Sequence, residues 1–318
     1  MSSEKRGEHM LMELIDRFLV EEAVKDVYKR DPNRVRPTEA SVKIDGIVYG
    51  SCLRSSWYSL KHFKPRPPDA RALRVMEVGK ALEQLEAERC RRMGILVEKP
   101  LDFKVPNPLE PNQIISGRKD FYVHVDGHDY VVEYKTGSGY PFEKNVIKGG
   151  KSTIDHVLQI SLYLHFGDIK RGLLVYLDRG YSHYKEFLIY VDNDGHIYQN
   201  NKGIGIKVDD ILMRYKELYQ YVTKGILPPR DYIPFYTYDM ATAVKEGLQH
   251  GRISKSMVTK WEKGKAPLMD WHCRYCPFIQ YCIFDVKNQE EADEKITGYN
   301  IDNFIFEYYR SFLSQRKR

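Results

Sequence analysis

The chain has 318 residues, 42% of them hydrophobic, and carries 50 Lys and Arg against 44 Asp and Glu for a formal net charge of +6. That length supports one large domain with appendages or two modest ones, and the small basic excess suits a polyanionic partner as well as it suits plain solubility. No apolar run is long enough to span a membrane and residues 1–6 lack the apolar core of a signal peptide, so the expectation is a cytoplasmic protein with no membrane contact and with reduced thiols.

Residues 10–28 place Leu11, Leu14, Ile15, Phe18 and Leu19 at helical spacing and predict an amphipathic helix packed on the domain. Residues 31–39, with two prolines, read as a connector, and 41–49 alternate about Asp45-Gly46 as a small hairpin ahead of a helix near Cys52. A helix over 71–93 carries Gly79 and Glu83 among Glu77, Glu86 and Glu88, with Cys90 as a packing residue; prolines and asparagines then make 99–115 a loop.

Residues 117–137 hold two β-rich runs about Asp126-Gly127, a strong short-range signal for a hairpin because both residues accept the positive φ of a type I′ turn. A two-residue turn pairs Val125 with His128 and Phe121 with Val132, and so sets Asp120 against Glu133; a four-residue turn sets Asp120 against Lys135. Since side chains alternate with period two, either register leaves Asp120, Glu133 and Lys135 on one face and Phe121, Val123, Val125 and Val132 on the other. Carboxylates facing one another at ~5 Å repel by roughly 3 kcal/mol at an effective dielectric near 20. A divalent cation offsets that better than one ammonium does, and carboxylate oxygens suit Mg²⁺ or Mn²⁺. Lys135 would then be free to orient a water for phosphodiester hydrolysis. Taken alone, these residues are equally compatible with a hairpin bearing ordinary surface charges.

Past the hairpin, Lys144, Lys148 and Lys151 sit in a glycine-containing loop, suited to a DNA backbone or to solvent. A helix follows with Thr153 or Asp155 as its N-cap, and its four-residue spacing puts Gln159 and Tyr163 on one face. Residues 172–177 and 184–191 read as strands that complete a mixed sheet flanked by helices. Helices are expected over 208–224 and 237–249, and 253–265 reads as a basic arm with a superficial likeness to the second helix of a helix-turn-helix. Cys273, Cys276 and Cys282 form a C-x2-C-x5-C run that, with the distant Cys52, supplies four thiolates for an iron–sulfur cluster or zinc. Residues 288–294 are a polar linker, and 301–313 an aromatic-rich terminal helix before the basic 316–318. The sequence has no G-x-S-x-G elbow, P-loop or H-E-x-x-H, and thus no motor motif.

Asp120 followed by Glu133-Tyr134-Lys135 resembles the PD-(D/E)XK nuclease signature, with Lys119 where the family usually has Pro; Gln159 and Tyr163 resemble the Q-x3-Y motif of its RecB-like branch. One Cys before this core and three behind it are similar to the RecB-like exonucleases of the CRISPR-associated group and to the AddB helicase-nuclease subunit. The resemblance spans residues 52–282. It implies an α/β fold with a mixed central sheet flanked by helices, a restriction-endonuclease-like core, and a helical region bound to a [4Fe–4S] cluster through Cys52, Cys273, Cys276 and Cys282, with zinc as the lesser expectation. The corresponding organisation is an N-terminal helix and connector over 1–40, the nuclease domain over 41–285, and a linker and helix over 286–318. Mg²⁺ or Mn²⁺ would be held by Asp120, Glu133 and the carbonyl of Tyr134, joined by Glu83, which stands where the family often has the His of G-x3-H. Lys135 would position the water, and Gln159 and Tyr163 would support the site. The implied substrate is single-stranded DNA or duplex ends, cut exonucleolytically, with a helicase or a recombination or adaptation protein as partner. The competing expectation is a catalytically silent iron–sulfur DNA-binding or adaptor subunit.

Overall fold

A computed structural model describes residues 10–25, 30–300 and 303–315; the expected basic end 316–318, and the last residues of the expected first helix, lie outside these. The chain divides into two compact units, one holding the described residues of Met1–Val27, Asn33–Ser51 and Pro68–Tyr219, the other those of Tyr28–Pro32, Cys52–Pro67 and Gln220–Arg318.

The first unit contains strands β1 (Arg34–Val35), β2 (Ser41–Ile44), β3 (Ile47–Gly50), β4 (Asp102–Asn107), β5 (Glu110–Arg118), β6 (Phe121–Val125), β7 (His128–Gly137), β8 (Arg171–Asp178), β9 (Tyr184–Val191), β10 (His196–Gln199) and β11 (Lys202–Lys207). Six of them form a mixed sheet in the order β11-β10-β9-β8-β7-β6, in which β7 and β8 are parallel and β6–β7, β8–β9, β9–β10 and β10–β11 are antiparallel. Parallel neighbours need a crossover, and the helix Ile154–Phe166 provides it. The architecture is mixed α/β, with sheets flanked by helices.

The β6–β7 hairpin adopts the two-residue register, Val125 opposite His128 and Phe121 opposite Val132, because Asp126 (φ 50°) and Gly127 (φ 76°) both take the left-handed conformation that a type I′ turn requires. Phe121, Val123, Val132 and Tyr134 form one buried cluster, against which Leu82, Ala87 and Cys90 of the helix Ala70–Arg92 pack. The opposite face is covered by Ile154–Phe166, whose Val157, Leu158, Ile160, Leu162 and Leu164 are all buried; each such side chain contributes about 1.5–3 kcal/mol when fully withdrawn from water. That helix lies so close to β8 that a Cβ on Gly172 would meet Ile160 Cδ1 at 2.6 Å. Thr153 stands at its N-cap, but without a side-chain capping bond.

The expected loop over 99–115 is instead β4 and most of β5. The three-stranded sheet runs β1-β5-β4, so β4 is an edge strand, where Pro106 sacrifices no central ladder bond. Asn107 accepts the Leu109 N–H at 3.0 Å and donates to Gln113 Oε1 at 2.8 Å, closing the turn. The helix Met10–Lys25 departs from expectation in another way. Leu19 is buried, but Leu11, Leu14, Ile15 and Phe18 are exposed.

In the second unit, the helix Leu53–Leu60 contributes Trp57 and Tyr58 to an aromatic core with Phe63, Phe278 and Tyr281; Phe63 and Tyr281 meet edge to face at 4.9 Å. Main-chain carbonyls take the phenol protons, Tyr58 donating to Val286 O at 3.1 Å and Tyr281 to Lys64 O at 3.0 Å. The expected basic arm over 253–265 is a helix, Lys255–Glu262, capped by Ser254 and preceded across a short turn by the helix Ala241–Gln249. Met257, Val258 and Trp261 fix its inner face in a cluster with Tyr236, Ile253, Leu268 and Tyr309, an apolar period that the run of lysines hides. Among the described residues no helix is long and apolar enough to cross a membrane.

Candidate active site

The polar face of the hairpin carries the predicted residues. The observed register puts Asp120, one residue outside β6, level with Glu133, and Lys135 two residues further along the same face of β7. Asp120 Oδ2 accepts the Tyr134 N–H at 2.7 Å, a charge-assisted bond that ties the residue before β6 to its partner strand. Glu133 is wholly buried. Its Oε1 is ion-paired with Lys135 Nζ and accepts from Gln159 Nε2 at 2.7 Å, while its Oε2 is buried without a hydrogen-bond partner. An orphaned carboxylate oxygen in a dry site is costly unless something cationic meets it.

Glu83 completes the group. Glu86 pairs with Arg89 and Glu88 with Arg91 on the outer side of the helix, whereas Glu83 is half-buried and near enough to Asp120 to feel its charge. Burial and then Asp120 push the Glu83 carboxyl up to about 6, against the pull of Lys135. Burial also raises Asp120, although Lys135 and the Tyr134 N–H oppose it. Glu133 is raised by burial and by Asp120 and Glu83 against Lys135. Burial works to lower Lys135, but Glu133, Asp120 and Glu83 outweigh it and raise the ammonium. Three carboxyls confront one ammonium, and every group in the site holds its proton more tightly as a result.

The Q-x3-Y pair is positioned as its spacing predicts. Gln159 reaches Glu133, and Tyr163, one turn on, donates to Arg118 O at 2.9 Å, just ahead of Asp120. Lys119 is buried with its ammonium 5.3 Å from the Phe103 ring centre, 5.7 Å from Tyr122 and 5.9 Å from Tyr163, an aromatic nest that compensates for lost water. The sequence reading missed His156 and Tyr176, whose ring nitrogen and phenol are 2.9 Å apart. His156 precedes Gln159 by three residues, so helical spacing alone would have placed it on the same face.

The four thiols all belong to the second unit. Cys52 stands at the N-cap of Leu53–Leu60, Cys273 lies in the short helix Trp271–Arg274, and Cys282 in Ile279–Ile283. Burial pushes the thiols of Cys52 and Cys273 up, with further contributions from their neighbouring thiols, and takes Cys276 up to about 11. Cys282 Sγ receives an N–H from Arg54 at 3.8 Å, and Arg230 donates to its carbonyl at 2.7 Å. Among the described residues, however, no three Cys, His, Asp or Glu side chains are gathered into a group that could hold a metal ion; this applies to both the thiols and the carboxyls.

No family model matches the chain, and no curated protein matches it. Among solved structures it is similar to one titled "Crystal structure of SSO0001", with a TM-score of 0.37 and 16% identity, covering 68% of this chain and 86% of that one. A likeness of that degree carries no argument about activity.

The hydrogen bonds of Gln159 and Tyr163 differ in kind, and so should their removal. Gln159→Ala strips a charged buried acceptor of a partner and is expected to cost about 1.5–3 kcal/mol, against about 0.5–1.5 kcal/mol for Tyr163→Phe, which loses one neutral bond. Urea unfolding at pH 7 with unchanged m-values measures both.

Proposed function

We propose that the chain is a metal-dependent DNA nuclease of the RecB-like iron–sulfur type. The observation that carries this reading is the convergence of Asp120, Glu133 and Lys135 on one face, with Glu133 Oε2 buried and unpartnered. The chemistry of the donors, all oxygen, anionic and short of positive charge, suits a hard divalent ion, although the three carboxyls do not stand together as a ready cage. Asp120, Glu133, Glu83 and the Tyr134 carbonyl would hold Mg²⁺ or Mn²⁺, which when bound supplies charge to the phosphate and acidifies water.

The remaining steps fall to the protein. Lys135, anchored on Glu133 Oε1, directs its other N–H groups toward the attacking water and holds it in line with the leaving oxygen. Gln159 fixes the Glu133 rotamer, and Tyr163 holds the chain at Arg118 so that Asp120 enters β6 in register. As water attacks, the new P–O bond forms while the water releases a proton to solvent, and the bond to the leaving oxygen breaks as solvent supplies that oxygen with a proton. The expected substrates are single-stranded DNA and duplex ends, with a helicase or recombination partner. The cluster reading rests on Cys52, Cys273, Cys276 and Cys282, which are near enough for Cys273 to feel the other three without standing as a ready ligand set; a [4Fe–4S] cluster is the proposed occupant, zinc being the alternative. The rival, a silent adaptor, has no use for the buried Glu133–Lys135 pair.

End-labelled single- and double-stranded DNA incubated without oxygen should be cut with Mg²⁺ or Mn²⁺ and left intact in EDTA, and Lys135→Ala should lower the rate by about 10²–10⁴-fold. A wild-type protein that binds DNA and cuts none of it under any metal would leave the adaptor reading standing.

Metal binding should depend on pH in a determined direction. With Glu83 pushed up to about 6 and Glu133 to about 8, an ion must displace protons below those values. In the metal-free protein these raised carboxyls favour the folded state below their unfolded values, and that contribution is lost as pH rises through the folded ones. The rise in melting temperature caused by Mn²⁺ should therefore be small at pH 5.5 and grow to about 5–10 °C at pH 8 for an ion at a hundredfold excess over its dissociation constant. Asp120→Asn should abolish it.

Protein prepared anaerobically should be brown and contain iron, and Cys282→Ser should bleach it. A colourless protein containing one zinc would replace the cluster with zinc without altering the hairpin chemistry.

A further inference from the structure

His156 is fixed in one proton arrangement by its neighbours. Tyr176 lies on β8 beside Lys135 of β7, and its phenol oxygen accepts the Thr153 N–H at 3.0 Å. A backbone N–H can only donate, so of the two hydrogen-bond partners of the phenol the one that can take its proton is His156 Nδ1, at 2.9 Å. Nδ1 is thus an acceptor, and the imidazole's single proton sits on Nε2. Burial, followed by the charge of Lys135, lowers the imidazole to about 3 and keeps it neutral.

His156, Gln159 and Tyr163 make one stripe along Ile154–Phe166. Gln159 is spent on Glu133 and Tyr163 on Arg118 O. His156 is the third member; its bonding partner Tyr176 pairs with Lys135 across the β7–β8 ladder, and among the described residues nothing accepts its Nε2–H. A half-buried donor held in one tautomer on the side of the sheet that carries Lys135 has an evident acceptor in the substrate phosphate.

We propose that His156, as a neutral imidazole protonated at Nε2, donates a hydrogen bond to a non-bridging oxygen of the phosphate under attack, held in that tautomer by Tyr176. The assignment rests on the nuclease reading. His156 transfers no proton: the water–phosphorus bond forms as the water gives up a proton to solvent, the bond to the leaving oxygen breaks, and solvent protonates the leaving oxygen. A neutral donor stabilises the charge that builds on the phosphoryl oxygen without competing with a cation for the carboxylates, as fixed oxyanion donors do.

The test combines His156→Ala, His156→Gln and Tyr176→Phe with DNA in which the Rp or Sp non-bridging oxygen is sulfur. The expected result is a roughly 10²-fold fall in kcat for His156→Ala with KM little changed, and loss in that variant of the rate penalty for one diastereomer. His156→Gln, which restores an amide N–H near Nε2, should recover at least tenfold. Tyr176→Phe should lose about tenfold and show mixed tautomers by ¹⁵N NMR, where the wild type shows Nε2–H from pH 5 to 8. Unchanged kcat in a folded His156→Ala, both sulfur penalties intact, or a wild-type Nδ1–H tautomer would each overturn the assignment while the nuclease reading stands. A wild type inactive on every substrate and metal would overturn the nuclease reading itself.

Discussion

The first unit depends on seating the Glu133 carboxyl in a place without water. Burial pushes Glu83, Asp120 and Glu133 toward protonation, and Asp120 adds to the effect on Glu83 and Glu133, while one ammonium, Lys135, opposes it in all three. Two like charges ~5 Å apart cost roughly 3 kcal/mol at an effective dielectric near 20, which one lysine does not fully offset. Gln159 satisfies part of the remainder and Tyr134 N–H another part. The remaining deficit is centred on Glu133 Oε2, which is buried without a hydrogen-bond partner.

Much of this was legible in the sequence. Asp126-Gly127 marked a hairpin with its turn length left open, and period-two alternation divided Asp120, Glu133 and Lys135 from Phe121, Val123 and Val132 in either register. The four-residue spacing of Gln159 and Tyr163 placed them on one helix face, and both meet the hairpin. Glu83 illustrates the limit. Sequence shows four glutamates on one helix, and only packing against the sheet distinguishes the one that faces Asp120.

What stayed hidden depended on long-range pairing or on composition that masks a period. Residues 102–118 carry Pro106, Pro108, Pro111 and two asparagines, ordinarily loop chemistry, yet they pair because β4 is an edge and Asn107 closes its turn with its own side chain. In 255–262 the lysines read as a solvated arm, while Met257, Val258 and Trp261 were the helical face. The division into units was illegible for a similar reason. Cys52–Pro67 belongs with residues some 170 positions later, and Leu53 N–H bonding to Asp231 at 2.7 Å is the sort of contact no local pattern encodes. His156 was hidden by neither cause; a histidine on an apolar helix is usually core, and only its bond to Tyr176, itself holding the Thr153 N–H, marks it out.

The register of β7 ties these observations together. Had β7 slipped by one residue against β6, Glu133 would face the apolar cluster, and Val132 and Tyr134 would face Gln159. Such a slip would bury an unpaired charge among Phe121, Val123 and Leu177 and at the same time break the Asp120–Tyr134 bond, so hydrophobic and electrostatic costs act against it together. The parallel ladder to β8 adds a second lock, since Lys135 pairs with Tyr176 only in the observed register. Tyr176 in turn bonds His156. One turn residue pair, Asp126-Gly127, thus fixes which carboxylates meet, which glutamine reaches them and which tyrosine stands beside the lysine, so the geometry of the site is a consequence of strand pairing and not an addition to it.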